Sequence, residues 1–122
     1  MPERPEEIAT VEGLLDATVV AHESIYDLHR RLVAAGITGR SQELLKESAH
    51  VVLELAPQVA ADARRLFAQL SEESVLDPER AAGTEDQLAA EVQRIEPELR
   101  ALLARQVQIA RELRGELDRG SD

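Results

Sequence analysis

The sequence predicts an all-α fold, an elongated antiparallel bundle of three long helices with coiled-coil-like seams. Its composition is rich in the helix formers Ala, Leu, Glu, Gln and Arg, and Tyr26 and Phe67 are the only aromatic residues among 122. Apolar residues recur in alternating steps of three and four along three stretches of similar length. The six glycines and five prolines stand at isolated points. We therefore expect one domain, 1–122, with helices over about 5–35, 41–75 and 85–117.

The first helix is predicted from a row of residues that keeps heptad spacing over four repeats. Gly36 follows this stretch and supplies a C-terminal stop. Because His22 and His29 belong to the row, both imidazole rings are expected to face the core. The full row is Ile8, Val11, Leu15, Thr18, His22, Ile25, His29 and Leu32.

The second helix is predicted over 41–75, with Ser41 as its N-cap. Its row alternates large and small residues, which favours close approach of a neighbouring helix. The row keeps its phase across Pro57, so we expect one kinked helix; if Pro57 breaks it, the bundle has four helices. The row is Leu45, Ala49, Val52, Ala56, Val59, Ala63, Leu66 and Leu70.

The third helix is predicted to begin after a loop over 76–84, in the stretch "LDPERAAGTED". Asp77-Pro78 favours a turn, Gly83 ends it, and Thr84 with Gln87 resembles a capping box. The tail, 118–122, is expected to fray. The row of this helix is Leu88, Val92, Ile95, Leu99, Leu102, Gln106, Ile109 and Leu113.

Two seam histidines are the unusual feature of the predicted core. An imidazole buried without a partner costs about 1–3 kcal/mol, so hydrogen bonds should satisfy both rings. One hypothesis is a structural polar layer that fixes the helix register, as single polar residues do in coiled coils. The candidate partners in this layer are Thr18, Asp62, Gln69 and Gln106.

The other hypothesis makes His22 and His29 ligands. They lie about 10 Å apart along one helix, too far to share one metal within a chain. Two first helices packed antiparallel and crossing near Ile25 and Tyr26 would place His22 of one copy opposite His29 of the other. With Glu23 or Asp27, such a dimer could hold a divalent metal, or haem. Buried histidines that become charged near pH 6 would also loosen the bundle.

A second histidine motif, Glu47-x-x-His50, has the spacing used in di-iron helical bundles. Helical geometry nevertheless places His50 on the outer surface, about 170° from the predicted apolar face, together with Glu43, Glu47 and Glu54. We therefore interpret this group as a solvated charged face.

Charge and composition argue against several function classes. The net charge is −10 and Lys46 is the only lysine, so nucleic acid and anionic membrane surfaces are not expected partners. Cysteine is absent, and no apolar run or leader-like start predicts membrane insertion or export, so a cytoplasmic protein is expected. The serines have no clear base, and no Gly-rich phosphate loop is present. An enzyme is not predicted.

The function predicted from these features is a cytoplasmic helical interaction or scaffold module. It would act through its apolar seams as a homo-oligomer, with a homodimer expected from coiled-coil logic, and it could also bind another protein. No cofactor is needed for this function. The alternative is a small metal- or haem-binding bundle that uses His22 and His29.

Overall fold

The computed structural model describes residues 6–37 and 39–120, which form helices and no strand. Helix α1 spans Glu6–Ala34, α2 spans Ser41–His50, α3 spans Ala56–Leu76 and α4 spans Pro78–Gly120. A π-helical turn, Val51–Leu55, joins α2 to α3 without a gap, so these three segments make one long helix. The predicted all-α bundle of three long helices is confirmed.

The chain runs up, down and up, so α1 and α4 are parallel and the helix between them is antiparallel to both. Helix α4 packs along α1 and also along α3. Gly36, at φ +73°, ends α1 as predicted. The Ile37 N–H donates to the Leu32 carbonyl at 2.9 Å, which is the long bond of a Schellman motif.

The core is apolar at both ends of the bundle and polar between them. One cluster surrounds Ile8 and Leu99, and the other surrounds Ile25 and Ile109. The predicted rows of α1 and α4 contribute to both clusters. Of these rows, the buried members are Ile8, Val11, Leu15, Thr18, Ile25, Leu32, Leu88, Val92, Ile95, Leu99, Gln106, Ile109 and Leu113.

The predicted phase of the second helix is wrong before Pro57. Leu45, Ala49 and Val52 lie at the edge of the core, and the buried face of α2 falls one residue earlier. That face consists of Ser41, Leu44 and Ser48, followed by Val51 of the π turn. From Ala56 onward the buried positions follow the α-helical period again, at Ala60, Ala63, Leu66 and Leu70.

The π turn accounts for this change of phase. The Ala56 N–H donates to the Val51 carbonyl, five residues back instead of four. One additional residue is thereby accommodated without ending the helix. Pro57, which has no N–H to donate, is the second residue of α3 and sits directly after this wider turn. The helix therefore continues through Pro57, as predicted. The apolar row, however, does not keep its phase across Pro57, although that continuity was also predicted.

The predicted loop over 76–84 is also wrong, because only Asp77 separates α3 from α4. Asp77 is extended, at φ −154°, ψ 80°, and its carboxylate accepts a hydrogen bond from the Arg80 N–H at 3.3 Å. Pro78 fits the first helical position. Gly83 is inside α4, where the nearby Ala81 and Thr84 are buried. Burial of these two residues outweighs the local turn signal.

The predicted ends of the chain are described in part. Helix α4 continues through 118–120, where a frayed tail was expected, and the other two residues of that tail lie outside the described part. The first residue of the predicted helix over 5–35 also lies outside it. Within the described ranges, no helix combines the length and the apolar character needed to cross a membrane.

Candidate functional site

A buried polar layer joins all three long helices near the middle of the bundle. Gln106 of α4 is fully enclosed, and its Nε2 donates to the Thr18 carbonyl and to the Ser48 hydroxyl, both at 3.1 Å. The Ser48 hydroxyl also lies 2.9 Å from Nδ1 of His22. The Thr18 hydroxyl donates to the Leu15 carbonyl at 2.7 Å. Ser48 of α2 thus contacts both α1 and α4.

A second histidine–serine pair lies two turns away. Nδ1 of His29 is 2.9 Å from the hydroxyl of Ser41. The two histidines are seven residues apart on α1, and the two serines are seven residues apart on α2. Because the two helices are antiparallel, the later histidine pairs with the earlier serine. The two pairs therefore belong to one register between α1 and α2. Both rings are half-buried, and each points its Nδ1 between these helices.

The polar-layer hypothesis identified two of the residues involved. Thr18 and Gln106 are in the layer as proposed. Asp62 is exposed beside Arg65, and Gln69 donates to Glu73 at 2.7 Å, far from the histidines. Sequence reasoning missed Ser41 and Ser48, the direct partners of the imidazoles. Their spacing of seven residues, which matches that of the histidines, is the signal that could have found them.

The metal hypothesis for His22 and His29 stays a prediction. The described residues contain no group of three or more His, Cys, Asp and Glu side chains placed to hold a metal. Glu23 is exposed, and Asp27 pairs with Arg31 at 3.0 Å. Of the two residues near which the predicted dimer would cross, Ile25 is fully buried within its own chain and Tyr26 is exposed.

The Glu47-x-x-His50 motif is divided between two surfaces. His50 is exposed, and its Nδ1 lies 2.9 Å from the Glu54 carboxylate, in agreement with the predicted outer face. Glu47 instead points to α4, where Arg105 binds it through two hydrogen bonds of 2.5 and 3.0 Å. These bonds lower the pKa of Glu47. The motif therefore contributes an interhelical ion pair.

A further hydrogen-bonded carboxylate ties the end of α3 to the start of α4. Glu73 accepts hydrogen bonds from the Thr84 hydroxyl at 2.5 Å and from the Gln69 amide at 2.7 Å. Both bonds favour the ionised form and lower the pKa of Glu73, the Thr84 bond having the larger effect. The cluster secures the hairpin around the single linking residue, Asp77.

An open groove of about 350 Å³ runs between α1 and α4, on the side away from α2. Its apolar lining is Ala21, Leu28, Val107 and Ala110, and its charged lining is Asp27, Arg31, Arg111 and Arg114. Within the described part of the chain, neither Arg111 nor Arg114 has an ion pair or a side-chain hydrogen bond. This groove is a basic region on an acidic protein.

A shallower groove runs between α1 and α2. Tyr26 and Val33, seven residues apart, line its α1 side and are both exposed. Leu45 lines the opposite side. Helix α1 therefore has uncovered apolar side chains on both flanks.

Comparisons with known proteins gave no relative. No family model matches the chain, and no curated protein or solved structure matches it.

Proposed function

We propose that the chain is a non-enzymatic helical interaction module that forms a homodimer through uncovered faces of its bundle. The observation that carries the proposal is the pair of grooves beside α1, whose rims leave valines and a tyrosine exposed. Val20 is 61% exposed and Tyr26 is 51% exposed. Apolar helix faces of this kind are covered in helical bundles by one more helix.

The arrangement of the buried polar groups supports a structural role over catalysis. Gln106 and Ser48 are fully enclosed and use their hydrogen bonds to join helices. The half-buried histidines direct Nδ1 to serine hydroxyls that lie on the facing helix. These contacts set the register of the bundle and so define the faces that a partner meets.

Sedimentation velocity from about 1 µM to about 1 mM tests the proposal, because this range brackets weak and moderate affinities. A species with twice the 13.4 kDa chain mass should grow with concentration. Monomer throughout the range would contradict it. Native mass spectrometry on protein purified without a metal-affinity tag is the companion measurement, since a stoichiometric metal or haem mass would favour the ligand-binding hypothesis.

A further inference from the structure

The groove between α1 and α4 continues onto the outer surface of α4. A second open groove, of about 410 Å³, adjoins it and shares Val107 and Arg111 with it. Together they follow α4 from Arg100 to Arg114, which is about 21 Å of helix. We call this combined surface the arginine groove. It is long enough to contact about four turns of another helix.

The floor of the arginine groove is apolar. Val107 lines both of its parts and is 40% exposed. Half of the apolar lining residues are alanines, which leave room for larger side chains of a partner. In helical bundles, an apolar strip between two helices is covered by one more helix. The apolar lining residues are Ala21, Leu28, Leu103, Ala104, Val107 and Ala110.

The charged lining of the arginine groove consists of four arginines and one aspartate. Two of the arginines are paired within the chain. Arg31 contacts the aspartate of the lining, Asp27, at 3.0 Å. Arg100 contacts Glu96 at 3.2 Å. These ion pairs cancel the charge of both arginines and leave the other two to determine the charge of the groove.

The other two arginines, Arg111 and Arg114, are exposed and unpaired. No carboxylate among residues 6–37 and 39–120 forms an ion pair with either guanidinium. They are three residues apart, so both lie on the same side of α4. A guanidinium presents a planar fork of N–H groups that matches the two oxygens of a carboxylate. In a chain of net charge −10, two such groups beside an apolar floor indicate a partner that is both apolar and acidic.

We propose that the arginine groove binds an amphipathic α-helix of a different protein, one that carries Asp or Glu residues beside its apolar stripe. The stripe packs on Val107 and the alanines, and two carboxylates three or four residues apart on the partner bind Arg111 and Arg114. The proposal goes beyond the homodimer, which then uses the α1/α2 groove of Tyr26 and Val33.

Shape and charge disfavour two other kinds of ligand. A small molecule is usually enclosed over most of its surface, whereas the arginine groove is open along its length. Nucleic acid is held by clustered Lys and Arg that contact several phosphates, and this groove has two unpaired arginines. A helix with two carboxylates beside an apolar stripe matches both the length of the groove and its charge.

Selection from a peptide library tests the chemistry of the partner. The probes are amphipathic helices of about 18 residues with a fixed leucine stripe, whose flanking positions vary among Glu, Gln and Lys. Selection on the full chain should enrich Glu over Lys about tenfold or more at flanking positions one turn apart. Non-specific attraction to a chain of net charge −10 would enrich Lys instead. Enrichment of Lys or Gln, or of no residue, would overturn the proposal.

Fluorescence anisotropy with the most enriched peptide locates the binding site. Arg111→Glu/Arg114→Glu should raise its dissociation constant about tenfold or more, because both contacts then join like charges. Arg65→Glu/Arg80→Glu is the control, since it makes the same change of net charge on exposed residues outside the groove. The control should bind the peptide as the unmodified chain does. Equal loss in both variants, or no loss in the first, would overturn the site. Circular dichroism verifies that each variant is helical.

Sedimentation velocity of Arg111→Glu/Arg114→Glu without peptide separates this site from the homodimer. The variant should dimerise like the unmodified chain, since its α1/α2 groove is unchanged. Loss of dimerisation in this variant alone would show that a second copy occupies the arginine groove, and would overturn the proposal. An unmodified chain that stays monomeric would overturn the homodimer but not the arginine groove, which the peptide measurements test separately.

Discussion

Ser48 of α2 and Gln106 of α4 share a hydrogen bond of 3.1 Å where both side chains are completely enclosed. The same serine contacts His22 of α1 at 2.9 Å, so a single hydroxyl joins three helices. Sliding any helix by one turn would separate these groups and leave them buried without partners. The layer thus specifies which residues of the three helices are level with one another.

Gln106 should be dispensable for stability although it is central to the layer. Its Oε1 is buried and has no hydrogen-bond partner among the described residues. Replacing the amide by an apolar group of similar size removes that unpaired oxygen but also the two hydrogen bonds that Nε2 donates, so Gln106→Met should leave the free energy of unfolding within about 1 kcal/mol of the unmodified chain. Gln106→Ala should lower it by about 2–4 kcal/mol because it leaves a cavity. Urea unfolding measures both, and a Met variant as unstable as the Ala variant would contradict the prediction.

Each histidine should be energetically coupled to its own serine and not to the serine of the other pair. A double-mutant cycle of His22→Ala with Ser48→Ala should give a coupling energy of about 0.5–1.5 kcal/mol, as should His29→Ala with Ser41→Ala. The crossed cycle, His22→Ala with Ser41→Ala, is the matched control and should be additive, because these residues lie about two turns apart. Equal coupling in crossed and direct cycles would argue against the register described above.

The Glu47–Arg105 ion pair should contribute stability only above the acidic range. The Arg105 hydrogen bonds lower the pKa of Glu47 from its ordinary 4.5 in the folded chain. Its contribution is therefore complete above that value and is lost as pH falls through the lowered one. The side chains of Arg105 and Glu47 are 36% and 41% exposed, so screening by solvent keeps the contribution small.

Glu47→Gln should accordingly lower the free energy of unfolding slightly at pH 7 and have little effect near pH 3. Glu43→Gln is the control for loss of a charge alone, since Glu43 lies exposed on the same helix. Chemical denaturation at both pH values makes the comparison. A Glu47→Gln penalty that persists at pH 3 would show that the ion pair is not its source.

The π turn should tolerate a deletion that no other part of the second helix accepts. Removing the exposed Leu53 shortens the step from Val51 to Ala56 to four residues, which a regular α-helix accommodates with both buried faces in place. Pro57 would then fall inside an ordinary α-helix, which costs about 3 kcal/mol. Deletion of Leu53 combined with Pro57→Ala should therefore keep the stability within about 1 kcal/mol of the unmodified chain.

Deletion of Ala68, an exposed residue of α3, is the control. It should abolish cooperative unfolding, because it rotates Leu70 and everything after it in α3 by about 100° relative to the preceding buried face. Thermal unfolding followed by circular dichroism compares the two deletions. Similar damage from both would mean that the π turn does not absorb an extra residue.

The sequence was sufficient to predict the buried faces of α1 and α4, because each face keeps one heptad phase along its helix. It was not sufficient for the second helix, where the choice between i→i−4 and i→i−5 bonding at Ala56 depends on how α2 and α3 both fit α1 and α4. A prediction that assumes regular α-helical spacing throughout places Leu45 in the core, whereas Leu44 is the buried residue. At Asp77, burial of Ala81 against α3 extended a helix into a stretch rich in turn residues.

The candidate site, like the fold, could be predicted from the sequence only in part. Heptad position predicted that His22 and His29 face the core, and both rings are half-buried against serines of α2, while Gln106 followed from the phase of α4. The phase predicted for the second helix put Ala49 in the place of Ser48, although the seven-residue spacing of Ser41 and Ser48 matches that of the histidines. The height of α4 beside α1 does not follow from the sequence either, since the Thr18–Gln106 contact gives it only once the fold is known.

The separation of Thr18 and Gln106 along the chain, 88 residues, also determines the order in which the bundle can assemble. During synthesis α1 emerges first, but its main partner emerges last, so its apolar row has no α4 to cover it while the ribosome makes the residues between them. Helices α3 and α4, joined by one residue, form local contacts quickly. We therefore expect folding to be completed when α1 docks on a hairpin made after it, with α1 exposed to chaperones and proteases during that interval.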